Sequence, residues 1–542
     1  MLHLHTWQVH DRNLLSLDYD RDQHVQKVYD DHRRFLLRIQ HDEAGRPSAW
    51  LPGDRLTSLN LSYAPGGLVA VLQHGSIAER RRYDARGRLT SRSFPDGSTW
   101  TYSYMEQAVV LLLPSQRQYV FGFDATEHLS SVTMPDGARH ILSTRRSPSY
   151  YRNEHRGPGS ASPMLRDYSY NGRLLQATYL GTGRRVLYRY GARGHLSEVL
   201  FDGTRASFTY DERSGLLHAV TVTPSRPIER PIQGMGKSPN EIVPENMCSL
   251  RFRYMGPLLE RQVSRCGGLG GAAARFEYTY DGRLRVTGLQ AVVNEQPLPI
   301  DLFRYDDVTG RLEQFGKFGV IYYDIDPVVT TSSMTLTKRR DNLGRITEVQ
   351  YEISRSLLFW LTVRYDPAGR VAQRHLRVGP VANGTALEYE YDPDGQLQAV
   401  AVDGRPAWRY SYDLNGNLHL LSPGASSHLV PLRYAPGDRL TRLGDLTYDL
   451  DADGFLHGRG NDRFEYDSRG LLVQSWGGGG STEAWSITYG YDAFGRRAWR
   501  KDQRGGFLQF FYADMSRPTR LTHVYNHTNR EITAYYYDLQ PP

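Results

Sequence analysis

The chain has 542 residues, a formal net charge of +7, 37 tyrosines, 52 glycines and two cysteines. The positive excess is small for this length and sits mostly in Gly-Arg turns rather than in one stripe, which argues against a nucleic-acid partner. The longest apolar runs, at 108–113 and 357–363, are far shorter than the roughly 20 residues a membrane helix needs, so neither membrane insertion nor a signal peptide is expected of this stretch.

From the first residues to about 223 the chain repeats one short pattern. An aromatic, a spacer and a tyrosine are followed by aspartate, a few polar residues, glycine and a leucine or valine. The fullest copy is Phe208-Thr209-Tyr210-Asp211-Glu212-Arg213-Ser214-Gly215-Leu216-Leu217. In a strand, Phe208 and Tyr210 share a face because side chains alternate with period two. Asp211 is suited to accept turn N–H groups, and Gly215 to take the positive φ of a tight reversal. The unit reads as a β-hairpin. Tyr83-Asp84 with Gly87 is another copy, and Tyr170, Tyr190 and Tyr210 follow one another at intervals of 20 residues. A period of this size marks a repeat architecture rather than a single-core globule.

Residues 224–247 break the pattern: five prolines fall there with little hydrophobic alternation, the composition of a loop or disordered insert. Within it, Gly234-Met235-Gly236-Lys237-Ser238 mimics the end of a phosphate-binding loop, but its first glycine position is Pro231 and no strand–helix context surrounds it. The two cysteines, Cys248 and Cys266, flank Gly256-Pro257. They are placed to face one another across a hairpin, and a disulfide there would close a loop worth about 3 kcal/mol. Two unpaired thiols are the plainer reading.

From 248 to 542 the units return. Tyr365-Asp366, Tyr391-Asp392, Tyr412-Asp413, Tyr466-Asp467 and Tyr491-Asp492 each lead into a glycine turn. Residues 449–454 copy the opening of an EF-hand loop, yet the twelfth position is Gly460 rather than a bidentate glutamate, so an aspartate-capped turn is the better reading. Residues 477–480, four glycines, read as a flexible loop tip. His3, His5 and His10 lack cysteine or acidic partners at ligand spacing. No nucleophile elbow, zinc-protease helix or Cys–His constellation stands out. No catalytic residue, cofactor or metal ligand is assigned. The fold expected is all-β: one continuous domain of antiparallel hairpins winding as a spiral into a hollow shell, in two parts (1–223 and 248–542) separated by the insert.

The stretches outside the generic unit are more specific. They include His5-Thr6-Trp7-Gln8-Val9-His10-Asp11, Pro114-Ser115-Gln116-Arg117-Gln118-Tyr119, Phe315-Gly316-Lys317-Phe318-Gly319 and Tyr412-Asp413-Leu414-Asn415-Gly416-Asn417-Leu418. Phe510-Phe511-Tyr512-Ala513-Asp514 and Leu521-Thr522-His523-Val524-Tyr525-Asn526-His527 belong with them. On these residues the chain resembles the YD-repeat shell of the teneurins, neuronal adhesion proteins, over nearly its whole length. The resemblance implies an extracellular scaffold that binds an adhesion receptor of the latrophilin type, with possible homophilic contacts and no catalysis. It implies a place at the outer face of the plasma membrane within a single-pass protein. The anchor, EGF-like, propeller and C-terminal toxin-like parts would lie outside this sequence, which then reads as a fragment cut at both ends. Three acceptor sequons start at Asn60, Asn383 and Asn526, and in a secreted setting at least one is expected to carry glycan. The alternatives are a toxin-enclosing shell of the Rhs type and a truncated fragment without function.

Overall fold

One hairpin explains the local structure. Strand Thr204–Tyr210 pairs antiparallel with Leu217–Pro224, placing Phe208 opposite Val220 and Thr209 opposite Ala219. At the next step Tyr210 faces Leu217, so His218 is an extra residue and the ladder bulges beside the tyrosine. The same shift stands at Arg82/Tyr83, Arg364/Tyr365, Glu390/Tyr391, Ser411/Tyr412, Glu465/Tyr466 and Gly490/Tyr491. At some bulges along the chain the extra residue is Ser or Thr. Its hydroxyl donates across the ladder to a carbonyl beside the bulge: Thr90 to Arg82 O at 3.1 Å, Ser197 to Arg189 O at 3.1 Å and Thr347 to Arg339 O at 3.3 Å.

The computed structural model describes residues 6–9, 12–30, 33–159, 162–224, 247–267, 271–307, 309–323, 325–379, 383–424, 429–479, 482–514 and 516–537. Among them no helix occurs, and none is therefore long and apolar enough to cross a membrane. Forty-nine strands follow one another among the described residues. Their pairings are antiparallel and join strands adjacent in sequence, save that Val286–Val293 also reaches Asp301–Tyr305 past the short Gln296–Pro297 strand. The fold is all-β, as the period-two patterning requires.

The phosphate-loop mimic at 234–238 and His3, His5 and His10 lie outside the described residues, as does the expected insert apart from its two ends. Pro224 at one end still closes a strand opposite Thr204, a position where a proline's missing N–H is tolerated. The glycines at 477–479 depart from expectation, while Gly480 lies outside the described residues. Gly477 and Gly479 belong to the strand Leu472–Gly479 and pair with Trp485 and Thr482. A β-carbon on Gly477 would meet the Trp485 ring at 3.1 Å. The Asp462 carboxylate lies closer still, so the glycine makes room for two side chains, and loop character does not follow from composition alone.

Contacts gather into two compact units, Met1–Ala138 with Arg304–Leu432, and Arg139–Phe303 with Arg433–Pro542. In the first unit, the two runs of ribbon touch at residues 271 to 296 apart in sequence: Arg55 pairs with Asp326, and Tyr119 donates to Asn415 O at 3.4 Å. In the second unit the corresponding offset runs from 231 to 271, from Asn294–Tyr525 to Thr182–Asp453. The second unit holds the deepest core, with Val186, Phe201, Ala206, Val220, Leu250, Phe252 and Trp499 buried together around Cys248 and Cys266. Elsewhere most strand residues are half-buried. Thr385–Tyr391 shows why: Tyr389 and Tyr391 turn to one face while Glu388 and Glu390 are exposed on the other.

Candidate functional site

The corners of the hairpins carry most of the side-chain chemistry. At Tyr83-Asp84, Oδ1 of Asp84 accepts the amides of Arg86 and Arg88, both at 2.9 Å, and Oδ2 accepts Nε of Arg88 at 2.8 Å. The Arg88 amide is the largest of the contacts holding the Asp84 carboxyl below its usual range. Gly87, at φ +77°, lets its own N–H reach Asp84 O at 3.0 Å. A three-residue loop of this form needs a left-handed residue before its closing pair.

The other corners assigned from sequence repeat this geometry. Oδ1 of Asp366 accepts the Arg370 amide, that of Asp392 the amides of Asp394 and Gln396, and that of Asp413 the amides of Asn415 and Asn417. Asp467 and Asp492 do the same with 469 and 471, and with 494 and 496. Asp211 heads a loop one residue longer and accepts Arg213 N and Ser214 N.

At six of these corners the tyrosine bonds backward. Tyr83 donates its phenol to Val69 O at 2.8 Å, Tyr210 to Leu196 O at 3.1 Å and Tyr365 to Ile346 O at 2.7 Å. Tyr391, Tyr412 and Tyr491 donate to Val371 O, Leu397 O and Leu472 O at 2.6–2.7 Å. In each case the acceptor is the first strand residue after the preceding corner. Burial pushes the Tyr391, Tyr412 and Tyr491 phenols up, keeping them protonated donors. Tyr466 packs its ring against Phe455, 5.3 Å between centres.

The non-generic residues do different work, reaching sideways. Ser115 N and Arg117 Nε donate to Asp394 at 2.9 and 2.6 Å, and Arg117 also reaches Gln396 Oε1 at 2.6 Å. The Asn415 side chain accepts Asp136 N at 3.1 Å. In the second unit Arg184 binds Asp451 at 2.7 Å and Asp453 at 3.1 Å, so two of the three carboxylates of the EF-hand-like stretch are engaged by a guanidinium. Gln509, fully buried, accepts Ala272 N at 2.6 Å and also bonds Cys266 O. Cys248 and Cys266 face one another across the hairpin of Cys248–Met255 and Leu258–Cys266, and their sulfurs are joined.

Of the sequon asparagines, Asn60 lies exposed in strand Leu59–Tyr63 and Asn383 lies exposed just before Thr385–Tyr391. Asn526 is half-buried and accepts Thr528 N at 2.9 Å.

One polar cleft, of about 680 Å³, opens at the corner of Asp20. Oδ1 of Asp20 accepts the amides of Asp22 and His24 at 3.0 and 2.9 Å. Oδ2 lies 3.6 Å from Nδ1 of His24 and 3.8 Å from Nδ1 of His41. The His24 amide contributes most to holding this carboxyl below its usual range. Sequence reading passed over these three residues. The signal was available: His24 stands four residues after the corner aspartate, where other units carry arginine, and His41-Asp42 stands where they carry Tyr-Asp.

Strand-and-corner units locked by tyrosine and aspartate define a YD-repeat protein. The Teneurin YD-shell family model matches residues 4–541, and the chain belongs to that family. Teneurin-4 of Homo sapiens is 54% identical over 533 residues, covering 98% of this chain and 18% of the relative. Teneurin-1 of Homo sapiens is 49% identical over 98% of this chain and 19% of its own length. Teneurin-m of Drosophila melanogaster is 26% identical over 96% of this chain and 18% of its own length. The chain thus spans about a fifth of the length of these relatives. A solved structure described as TcdB2-TccC3-TEV shares the fold at TM-score 0.51 and 12% identity, over 97% of this chain and 34% of that one.

Proposed function

We infer that this chain is a teneurin-type YD scaffold that acts by surface recognition, displayed outside the cell and engaging an adhesion receptor of the latrophilin type, with homophilic contacts as a second mode. The observation that carries the reading is the 54% identity to Teneurin-4 over 98% of the chain. At that level the lateral contacts as well as the repeats are expected to be shared. The corners support it: aspartate, arginine and tyrosine groups there are engaged in holding the ribbon, which suits a stiff platform whose partners read its outer side chains. A neuronal, trans-synaptic adhesion role follows from the same kinship, as does a place at the outer face of a plasma membrane within a longer protein. Exposed Asn60 and Asn383 suit glycan attachment there better than half-buried Asn526.

The test is direct. The purified chain, shown folded by its β-type circular dichroism, is passed over immobilised latrophilin ectodomain. Saturable binding is expected; a folded chain that does not bind removes the receptor from the proposal. Secretion from animal cells followed by glycosidase treatment should lower the mass, with the loss abolished by Asn60→Gln together with Asn383→Gln.

A further inference from the structure

We propose that Asp20, His24 and His41 form a binding site for one zinc-class divalent cation. The argument begins with what the same positions do in the regular units. There the corner aspartate holds an arginine four residues on, and that guanidinium lies over the tyrosine of the next corner. Examples are Asp42, Arg46 and Tyr63, with Arg46 4.3 Å above the ring, and Asp341, Arg345 and Tyr365, with a stacking distance of 4.2 Å. At Asp20 both the arginine and the tyrosine are replaced by histidine. The resulting rings are stacked, 4.8 Å between centres and 28° between planes. The change removes a fixed positive charge and a phenol from one corner and sets two imidazoles beside its carboxylate.

That set has the chemistry of a late transition-metal site: two imidazole nitrogens and a carboxylate oxygen, with a position open to the cleft. Metal–ligand bonds of about 2.0–2.1 Å in a tetrahedron put neighbouring donor atoms roughly 3.3–3.4 Å apart. The two Nδ1–Oδ2 distances, 3.6 and 3.8 Å, are a few tenths longer, and all the donor atoms lie within 4.8 Å of one another. Closing on an ion asks the two rings to open from their stack. The His24 side chain, 37% exposed, has room on the cleft side, while a β-carbon at Gly45 would come within 2.7 Å of its ring. Asp22 and Glu43 add negative charge to the lining, opposed by Arg38. A second stacked pair, His140 with His155, has no such carboxylate: among the described residues only the Asp20 corner assembles three ligand groups.

The experiment is calorimetric titration of the chelator-treated full chain with zinc chloride, beside magnesium chloride. Expected are one zinc per chain, an upward shift of the thermal midpoint on zinc addition, and no response to magnesium, which prefers an all-oxygen octahedron. The double variant His24→Arg with His41→Tyr rebuilds the regular unit and should fold, yet lose the zinc response altogether. Asp20→Asn should weaken binding while leaving circular dichroism unchanged. No zinc uptake by the wild-type chain, or the same stoichiometry and affinity in a folded double variant, overturns the proposal.

Discussion

The guanidinium carbon of Arg88 lies 4.3 Å from the centre of the Tyr104 ring, and the phenol of that ring donates to Leu89 O at 2.9 Å. Because Asp84 holds Arg88 from the other side, three side chains and one carbonyl link a corner to the next unit. The strands between corners are short, and this link sets the register at which each new unit begins.

Tyr104→Phe should therefore cost about 1 kcal/mol, the net worth of one backbone-directed hydrogen bond. Arg88→Ala with Tyr104→Leu in a double-mutant cycle should show a coupling of about 0.5–1 kcal/mol, the range of an exposed cation–π contact. Chemical denaturation of the four proteins measures it; strictly additive losses would mean the stacking carries no energy.

Asp394 is the hub of a sideways contact. Its side chain is 1% exposed and receives Ser115 and Arg117 from a run about 280 residues away. Asp394→Ala should cost roughly 2 kcal/mol, since Arg117 would be left largely buried without its carboxylate. Protease cleavage near residue 115 should rise, and Gln396→Ala should show a smaller effect.

Cys248 and Cys266 are both 4% exposed within the core of the second unit. Replacing both with serine should lower stability by about 3 kcal/mol through the lost cross-link, with the burial of two hydroxyls adding to the loss. A peptide map made without reductant should recover the linked pair.

His523 is buried against Phe276, and burial lowers its pKa from 6.5 to about 4. The sign follows from proton counting. Between pH 6.5 and 4 the unfolded chain takes up a proton that the folded chain refuses, so acid favours unfolding across that window. The contribution is fully present above pH 6.5 and lost on descent toward pH 4, with a size on the order of 3 kcal/mol. The midpoint of the wild type minus that of His523→Phe, taken from pH 7 to pH 4, should fall steadily as pH falls. Parallel curves would show that His523 is not the group responsible.

Glu127 occupies the place of the corner glycine at Asp124, with φ +61°. Glu127→Gly should raise stability by about 1 kcal/mol, because the left-handed conformation strains a residue with a β-carbon and the side chain is exposed. A thermal-shift comparison settles the sign.

What could be read in advance follows the range of the interactions. A corner is complete within about five residues: aspartate, its amides, the glycine and the following arginine are neighbours in the chain, so Tyr83-Asp84 or Tyr391-Asp392 announces a hairpin wherever it occurs. The glycines at 477–479 misled because glycine has two uses, freeing a loop and making space, and only the positions of Asp462 and Trp485 around Gly477 say which applies. The histidines at 24 and 41 were legible as departures from the unit, but their meeting required the register between successive corners.

By itself the sequence determined an all-β ribbon of hairpins, their boundaries, and the face on which tyrosines stand, since each depends on period-two alternation and local turn chemistry. Only the tertiary structure decided which runs lie side by side: Arg117 with Asp394, Arg184 with Asp451, Gln509 with Cys266. Those pairs are separated by more than 240 residues. No local preference encodes such an offset; it accumulates from the small twist and bulge added at every corner between them.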